Sequence, residues 1–297
     1  MNKSVNLNRK AIKPKRVIIL GSKGFIASEL KTKLKSLDIN VLAISKSKIN
    51  LIQTKSTKSL SRIIKNDDVI VFISAEAPVK NHKMLINNIL MCDNFIKSVR
   101  KKNINHLLYI SSDAVYKDTK NKINEQSCAM PNSLHGIMHL LRENMIIKSI
   151  TNPTCIVRPT LIYGAKDPHN GYGPNKFIRE SSLNKDISLF GKGEELRDHI
   201  YIEDVISIIK EVILFKTTGI LNAVSGDVTS FHDVAKLVIK SNKSRSKTRF
   251  TKRLGKMPHG GYRAFNNIMI KKLFPNIKIH SLKQGIKKTI KFMNLSL

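Results

Sequence analysis

Tryptophan is absent from this 297-residue chain, and acidic residues are scarce, with 21 Asp and Glu against 53 Lys and Arg. Aromatic residues make up only 6%. So thin a supply argues against a broad stacking platform for single-stranded nucleic acid. The three cysteines, Cys92, Cys128 and Cys155, are odd in number and far apart. They lack paired or metal-ligand spacing, which argues against a disulfide framework and suits a reducing compartment. No apolar run approaches the ~18 residues needed to cross a bilayer. Met1 to Lys15 is polar and basic, with no apolar core of the signal-peptide kind. A soluble cytoplasmic protein with a basic tail over residues 1–15 is expected.

What is present is ordinary for a folded chain, with 41% hydrophobic and 25% charged residues. Only the sign balance is unusual, at a formal net charge of +32. Such an excess fits a phosphate-rich partner: nucleic acid, an anionic membrane surface or a nucleotide. It equally fits a surface that has filled with lysine. Composition leaves both open.

Short continuous apolar runs punctuate the first half: Arg16–Leu20, Asn40–Ile44, Asp68–Ile73, His106–Ile110 and Thr154–Val157. Helical periodicity lies between them, over Phe25–Leu37, Met84–Lys101 and Leu134–Ile147. Continuous strands alternating with amphipathic helices predict a parallel sheet covered on both faces. Right-handed crossovers then give a doubly wound α/β fold of the Rossmann type. The second half opens with the Gly/Pro-rich loop Asp167–Pro174 and predicts a smaller α/β lobe. The expected boundaries are a dinucleotide domain over 16–165, a segment returning to it at about 198–225, and a lobe over 166–297.

Gly21-Ser-Lys-Gly24-Phe-Ile-Ala27 joins the first strand to the first helix. Gly21 permits a tight turn, Gly24 lets the backbone approach a pyrophosphate, and Ala27 lets helix and strand pack closely. The helix N-terminus then offers N–H groups to an anion. At the end of the second strand stand Ser45-Lys46-Ser47-Lys48, where a carboxylate would read the ribose hydroxyl of NAD. A hydroxyl and an ammonium suit a 2′-phosphate, so the reading leans to NADP over NAD. Lys46 and Lys48 also fit the general basic excess.

The phosphate loop, Ser111-Ser-Asp-Ala-Val-Tyr116, Arg158-Pro-Thr-Leu-Ile-Tyr-Gly164 and Arg197-Asp-His-Ile-Tyr-Ile-Glu-Asp204 follow in an order that is similar to one family. It is the extended short-chain dehydrogenase/reductases, specifically the NAD-dependent epimerase/dehydratase type acting on nucleotide sugars. Gly261-Tyr-Arg263 and Phe274-Pro275 fit the same frame. The resemblance implies hydride transfer at a sugar carbon, by epimerisation, dehydration or reduction, in polysaccharide synthesis. It implies dinucleotide contacts from Gly21, Ser22, Gly24, Phe25, Ile26, Ser45, Lys46, Ser74, Ala75, Asn88, Ser111 and Pro159. It places Ser112 on the reacting sugar oxygen and Asp113 where dehydratases carry an acid, although Ala114 replaces the Glu that usually follows. Asp113 also reads as a turn or cap residue.

The family's Tyr-x-x-x-Lys pair, one helical turn apart, becomes His135 and His139. Three readings follow. His135 is the acid/base, since imidazole titrates near pH 6.5 without help from a lysine, and His139 contacts the ribose. Alternatively, the site is degenerate and the chain binds NAD(P) without catalysis, with weak RNA association through Lys243–Arg253. Thirdly, His135, His139 and Glu143, at i, i+4 and i+8 on one helix face, bind a metal, but an HxxxH pair without a second-site ligand is a weak signal and no metal site is assigned. On the substrate side the resemblance implies Arg197 and Arg263 on a diphosphate, with Asn175 and Tyr201 beside it. Leu161 stands where many epimerases carry Asn. The resemblance also implies a homodimer through Met84–Lys101 and Leu134–Ile147. No specific nucleic-acid partner is expected.

Overall fold

A computed structural model describes residues 4–294. The first half runs β1 (Val5–Asn6), β2 (Val17–Leu20), α1 (Phe25–Lys35), β3 (Val41–Ile44), α2 (Ser56–Ile63) and β4 (Val69–Phe72). It continues through α3 (His82–Val99), β5 (His106–Ile110), α4 (Leu134–Ser149), β6 (Thr154–Pro159) and β7 (Leu161–Tyr163). The second half begins α5 (Pro174–Ser182), β8 (Ile187–Phe190), β9 (Leu196–Tyr201), α6 (Ile202–Leu214), β10 (Thr217–Ala223) and β11 (Val228–Ser230). It ends α7 (Phe231–Asn242), β12 (Thr248–Thr251), β13 (Tyr262–Arg263), α8 (Ile268–Leu273) and α9 (Leu282–Asn294).

Seven strands form the main sheet in the order β1-β10-β6-β5-β4-β2-β3. All are parallel except β1. Their apolar runs are continuous because both faces are buried. Ile18, Leu20, Ile70 and Phe72 join one core with Phe95 of α3, while Val17, Ile19, Val69 and Val71 join the other with Leu30 of α1 and Ile209 of α6. The chain leaves β2 for β3 on one side, then returns to β4 on the other. That reversal opens a crevice at the C-terminal ends of β2 and β4, where ligands of open α/β sheets bind.

Two expectations are corrected. Residues 4–12 are docked rather than a free tail. Val5 and Asn6 pair with Thr218 and Thr217, and the Asn8 and Ile12 amides donate to Phe215 and Leu214 carbonyls at 3.0 Å each. Without them β10 would be a bare sheet edge with unpaired backbone groups. The basic side chains of this segment, Arg9 and Lys10, still face solvent. The returning segment begins at α6, since β9 belongs to the lobe's own sheet, between β11 and the strands β13 and β7. α6 then packs on α1, and β10 pairs with β6. β8 and β12 form a separate parallel pair. Among the described residues, no helix is long and apolar enough to cross a membrane.

Candidate active site and cofactor cleft

Gly21 has φ +96°, and a Cβ on it would lie 2.8 Å from the Ser74 amide nitrogen. Only glycine lets β2 turn this tightly against the loop after β4. Gly24 caps α1 in an extended conformation with no side-chain hydrogen bond, and the first turn holds no acid. The unsatisfied N–H groups and positive helix end are therefore left for an anion. Gly21, Gly24, Lys46, Ser74, Ala75 and Glu76 line a 170 Å³ pocket here. Gly24 and Ala75 also line the neighbouring 530 Å³ cleft, so the two are continuous.

That larger cleft runs from Phe25 and Ile26, past Ser111, Ser112, Asp113, His135, His139 and Pro159, to Asn175. Among the described residues no Lys or Arg lines it, in a chain of charge +32. The Ser112 hydroxyl accepts from the Ala114 amide at 3.2 Å and starts a short 3-10 turn. α4 presses closely on this turn, because a Cβ on Gly136 would lie 2.1 Å from the Ala114 carbonyl oxygen. Ser133 caps α4 by accepting from the Gly136 amide at 3.1 Å. The cap and this glycine set the depth at which the next helical turn reaches the cleft.

The imidazoles of His135 and His139 stand perpendicular with ring centres 4.7 Å apart. Burial pushes the His135 pKa below 6.5, while Asp113 acts in the opposite direction. It is therefore neutral near pH 7. His139 is 5% exposed, and its Nδ1 lies 2.8 Å from the Tyr109 hydroxyl. Burial first, then His135 and Arg142, push its pKa well below the usual range. Neither ring supplies the positive charge of the family's lysine. The nearest substitute is Arg142, fully buried, with its guanidinium 4.4 Å from the Phe72 ring centre and 5.1 Å from that of Tyr109. It donates to the Ser74 carbonyl at 2.9 Å and has no carboxylate partner among the described residues.

Several expected contacts are placed differently. Arg263 is 1% exposed, and its guanidinium is taken up by Asp113, at 3.1 Å, by Asp118, also at 3.1 Å, and by the Tyr116 carbonyl. Asp113 is thus a clamped turn residue facing the cleft. Arg197 donates through Nε to Glu195 at 2.9 Å, and Arg253 approaches the same carboxylate at 3.2 Å. Tyr201 turns away from the cleft, donating to Glu203 at 3.1 Å and packing on Tyr163 and His280. Asn175 borders the cleft, but its amide holds the loop, accepting from Gly164 N–H at 3.0 Å and donating to Asp167. Asn88 lies beneath the loop after β4, bonded to both backbone groups of Glu76 at 3.0 Å. Ser111 donates to Glu143, which forms a buried ion pair with Arg158.

Charge satisfaction explains these shifts. A buried guanidinium is costly unless paired, and Arg197 and Arg263 find carboxylates in Glu195, Asp113 and Asp118. Sequence reasoning also missed Glu76. Its carboxylate lies 3.3 Å from Lys46 and accepts from Asn87 at 2.9 Å. The Asn87 bond, followed by Lys46, holds it below the ordinary carboxylate range. An acid from another loop thus stands beside Lys46, at the pocket that also borders Gly21. Its only sequence signal is a charge in the segment following an apolar strand.

Comparison with known proteins agrees with this geometry. A model of the NAD dependent epimerase/dehydratase family matches residues 17–222. An uncharacterised UDP-glucose epimerase of Bacillus subtilis is 24% identical over 230 residues, covering 67% of this chain and 72% of that protein. A dTDP-D-glucose 4,6-dehydratase of Dictyostelium discoideum is 27% identical over 270 residues, 75% of this chain and 61% of its own length. Among solved structures, the UDP-glucose 4-epimerase of Thermus thermophilus in complex with NAD superposes with a TM-score of 0.80 at 18% identity. It covers 95% of this chain and 100% of that one. The GDP-L-fucose synthetase of Naegleria fowleri bound to NADP gives 0.83 at 13% identity, covering 98% and 97%. The cleft at the strand reversal, its glycine turn and the match over residues 17–222 together show that the chain belongs to the NAD-dependent epimerase/dehydratase family.

Proposed function

We propose that the protein is a NAD(P)-dependent enzyme acting at a sugar carbon of a nucleotide-diphosphate sugar. The observation that carries this reading is convergence. Ser112, His135 and His139 share one cleft with the glycine turn and the open helix N-terminus of α1. Gly21, Gly24 and the first turn of α1 would hold the dinucleotide pyrophosphate, with Ser45 and Lys46 near its adenosine end. A bound nicotinamide supplies the hydride acceptor and donor. The chain's own residues do the rest. Ser112 orients the sugar hydroxyl. Neutral His135 takes its proton during oxidation and returns one during reduction. Ala114, standing where a second carboxylate would serve dehydration, favours epimerisation or reduction.

His135→Ala tests the assignment. Turnover of NADH or NADPH with UDP-, dTDP- and GDP-sugars should fall by about a hundred-fold or more. Undiminished turnover would reject His135 as the acid/base.

One observation favours a second reading, a binding protein without catalysis. Arg197 and Arg263, the cations expected on the diphosphate, are engaged by internal carboxylates. Tight dinucleotide binding with no turnover of any nucleotide sugar would select it. We also propose a cytoplasmic homodimer, formed through faces of α3 and α4 considered below.

A further inference from the structure

We infer that Tyr109 is a positioning residue that fixes the tautomer of His139, so that this imidazole offers the cleft a neutral Nε2–H donor. The matching ligand group is an acceptor oxygen, a hydroxyl or an amide carbonyl, rather than a phosphate. The ligand part of the inference rests on the dinucleotide reading above; the tautomer part does not.

The argument begins with the phenol. Tyr109 sits on β5 with 1% exposure, and its hydroxyl has one polar partner among the described residues, Nδ1 of His139 at 2.8 Å. Burial keeps the phenol protonated, with its pKa driven up. A neutral imidazole carries one N–H. If Nδ1 held it, ring and phenol would both be donors along one line, and the phenolic hydrogen would be buried without an acceptor. Leaving such a group unpaired costs about 1–3 kcal/mol. If Nδ1 is bare, the phenol donates and both groups are satisfied. The proton then belongs on Nε2, at the ring edge away from Tyr109. His139 lines the cleft whereas Tyr109 does not, so that edge is the one a ligand meets.

The alternative, a charged imidazolium donating from both nitrogens, is opposed by the surroundings. The Arg142 guanidinium packs over the same Tyr109 ring, one helical turn from His139, and lacks a carboxylate counter-charge. Glu143, the next acid along α4, is already paired with Arg158. His135 stands 4.7 Å away on the other side. A second positive charge on this buried ring would be poorly screened. The lining of the cleft points the same way. No lysine or arginine lines it among the described residues, Lys46 standing only in the adjoining pocket, so its centre suits neutral oxygens. The pair does the donor half of what a lysine ammonium would do, without the charge.

The test is a long-range 15N–1H spectrum of the full-length protein labelled at histidine, with His139 identified by its loss in His139→Gln. The wild type should show the Nε2–H tautomer alone. In Tyr109→Phe, which keeps the ring, His139 should become a mixture of tautomers. Fluorescence titration with NADH and NADPH supplies the second readout. Tyr109→Phe should weaken the preferred dinucleotide about two- to five-fold, the reciprocal of the Nε2–H fraction left in the mixture. His139→Gln carries an amide donor that needs no tautomer, so adding Tyr109→Phe to it should cost nothing further. An Nδ1–H or charged His139 in the wild type overturns the inference. So does an additive loss in the double variant. Failure of wild-type protein to bind either dinucleotide would instead remove the cofactor reading while the spectrum still decides the tautomer.

Discussion

Lys46 and Glu76 lie 3.3 Å apart, where the proposed dinucleotide would place its adenosine, and carry opposite messages. Lysine invites a 2′-phosphate, whereas the carboxylate repels it and accepts from a free ribose hydroxyl. The ammonium is largely in solvent, so the pair is soft and its effect on binding will weaken with salt. Glu76→Gln should raise the affinity for NADPH relative to NADH by about three- to ten-fold, and Lys46→Ala should move the ratio the other way. Fluorescence titration at low and high salt measures both. An unchanged ratio in both variants would place the 2′ position elsewhere. The same scale explains which site residues the sequence concealed. His135 and His139 were legible because the surrounding frame fixes their register on a helix. Tyr109, Arg142 and Glu195 were not. Each derives its meaning from a partner in a distant segment, and a single sequence carries no record of such pairs.

α3 and α4 pack side by side and leave one set of apolar side chains outward. Ile86 and Leu90 are exposed on α3, and Leu134, Ile137 and Leu141 on α4. The spacings i, i+4 and i, i+3, i+7 put each set on one helix face. A second copy of the chain, presenting the same stripe about a two-fold axis, would bury both. Leu141→Glu should convert the dimer to a monomer in light scattering with unchanged circular dichroism. A wild-type protein that is monomeric at tens of micromolar would remove the proposal. At this scale the sequence was informative where apolar periodicity is strong. His106–Ile110 is a strand with the expected bounds. It was silent where tertiary contacts carry the element. α2 has Leu60 as its one buried apolar side chain, and β9 reads Leu-Arg-Asp-His-Ile-Tyr, with charges that are paired only after folding. β1 is a strand because β10 offers it an edge, which local propensity does not record.

The whole molecule buries several histidines as neutral groups. The pKa of His106 falls to about 4 and that of His199 to about 3, in both cases mainly through burial. A depressed folded-state pKa gives stability that is complete above the unfolded value near 6.5 and is lost as pH falls below it. Asp198 works in the opposite sense. Burial raises its pKa to about 7, so its contribution is complete at low pH and lost as pH rises through 7. A whole-protein titration mixes the two signs, whereas a single substitution separates them. Both ring nitrogens of His199 are buried without partners, and its ring meets Phe231 edge to face. His199→Phe should therefore stabilise the protein at pH 7.5. The gain should be larger at pH 5 by about 2 kcal/mol, the cost of one proton over 1.5 units. Urea denaturation at the two pH values measures it, and an equal gain at both would show that His199 takes up no proton on unfolding.

The larger cleft, which no lysine or arginine lines among the described residues, has a further consequence in a molecule of charge +32. The exterior and the interior answer to different variables. Counterions gather around the lysine-covered surface and must be released when any polyanion lands there, so that association fades steeply as salt rises. A ligand held in the cleft by backbone amides, hydroxyls and neutral imidazoles releases few counterions. Its affinity should persist at ionic strengths that strip the surface clean. Salt thus becomes the experimental variable that separates ligands of the site from molecules merely attracted to the outside.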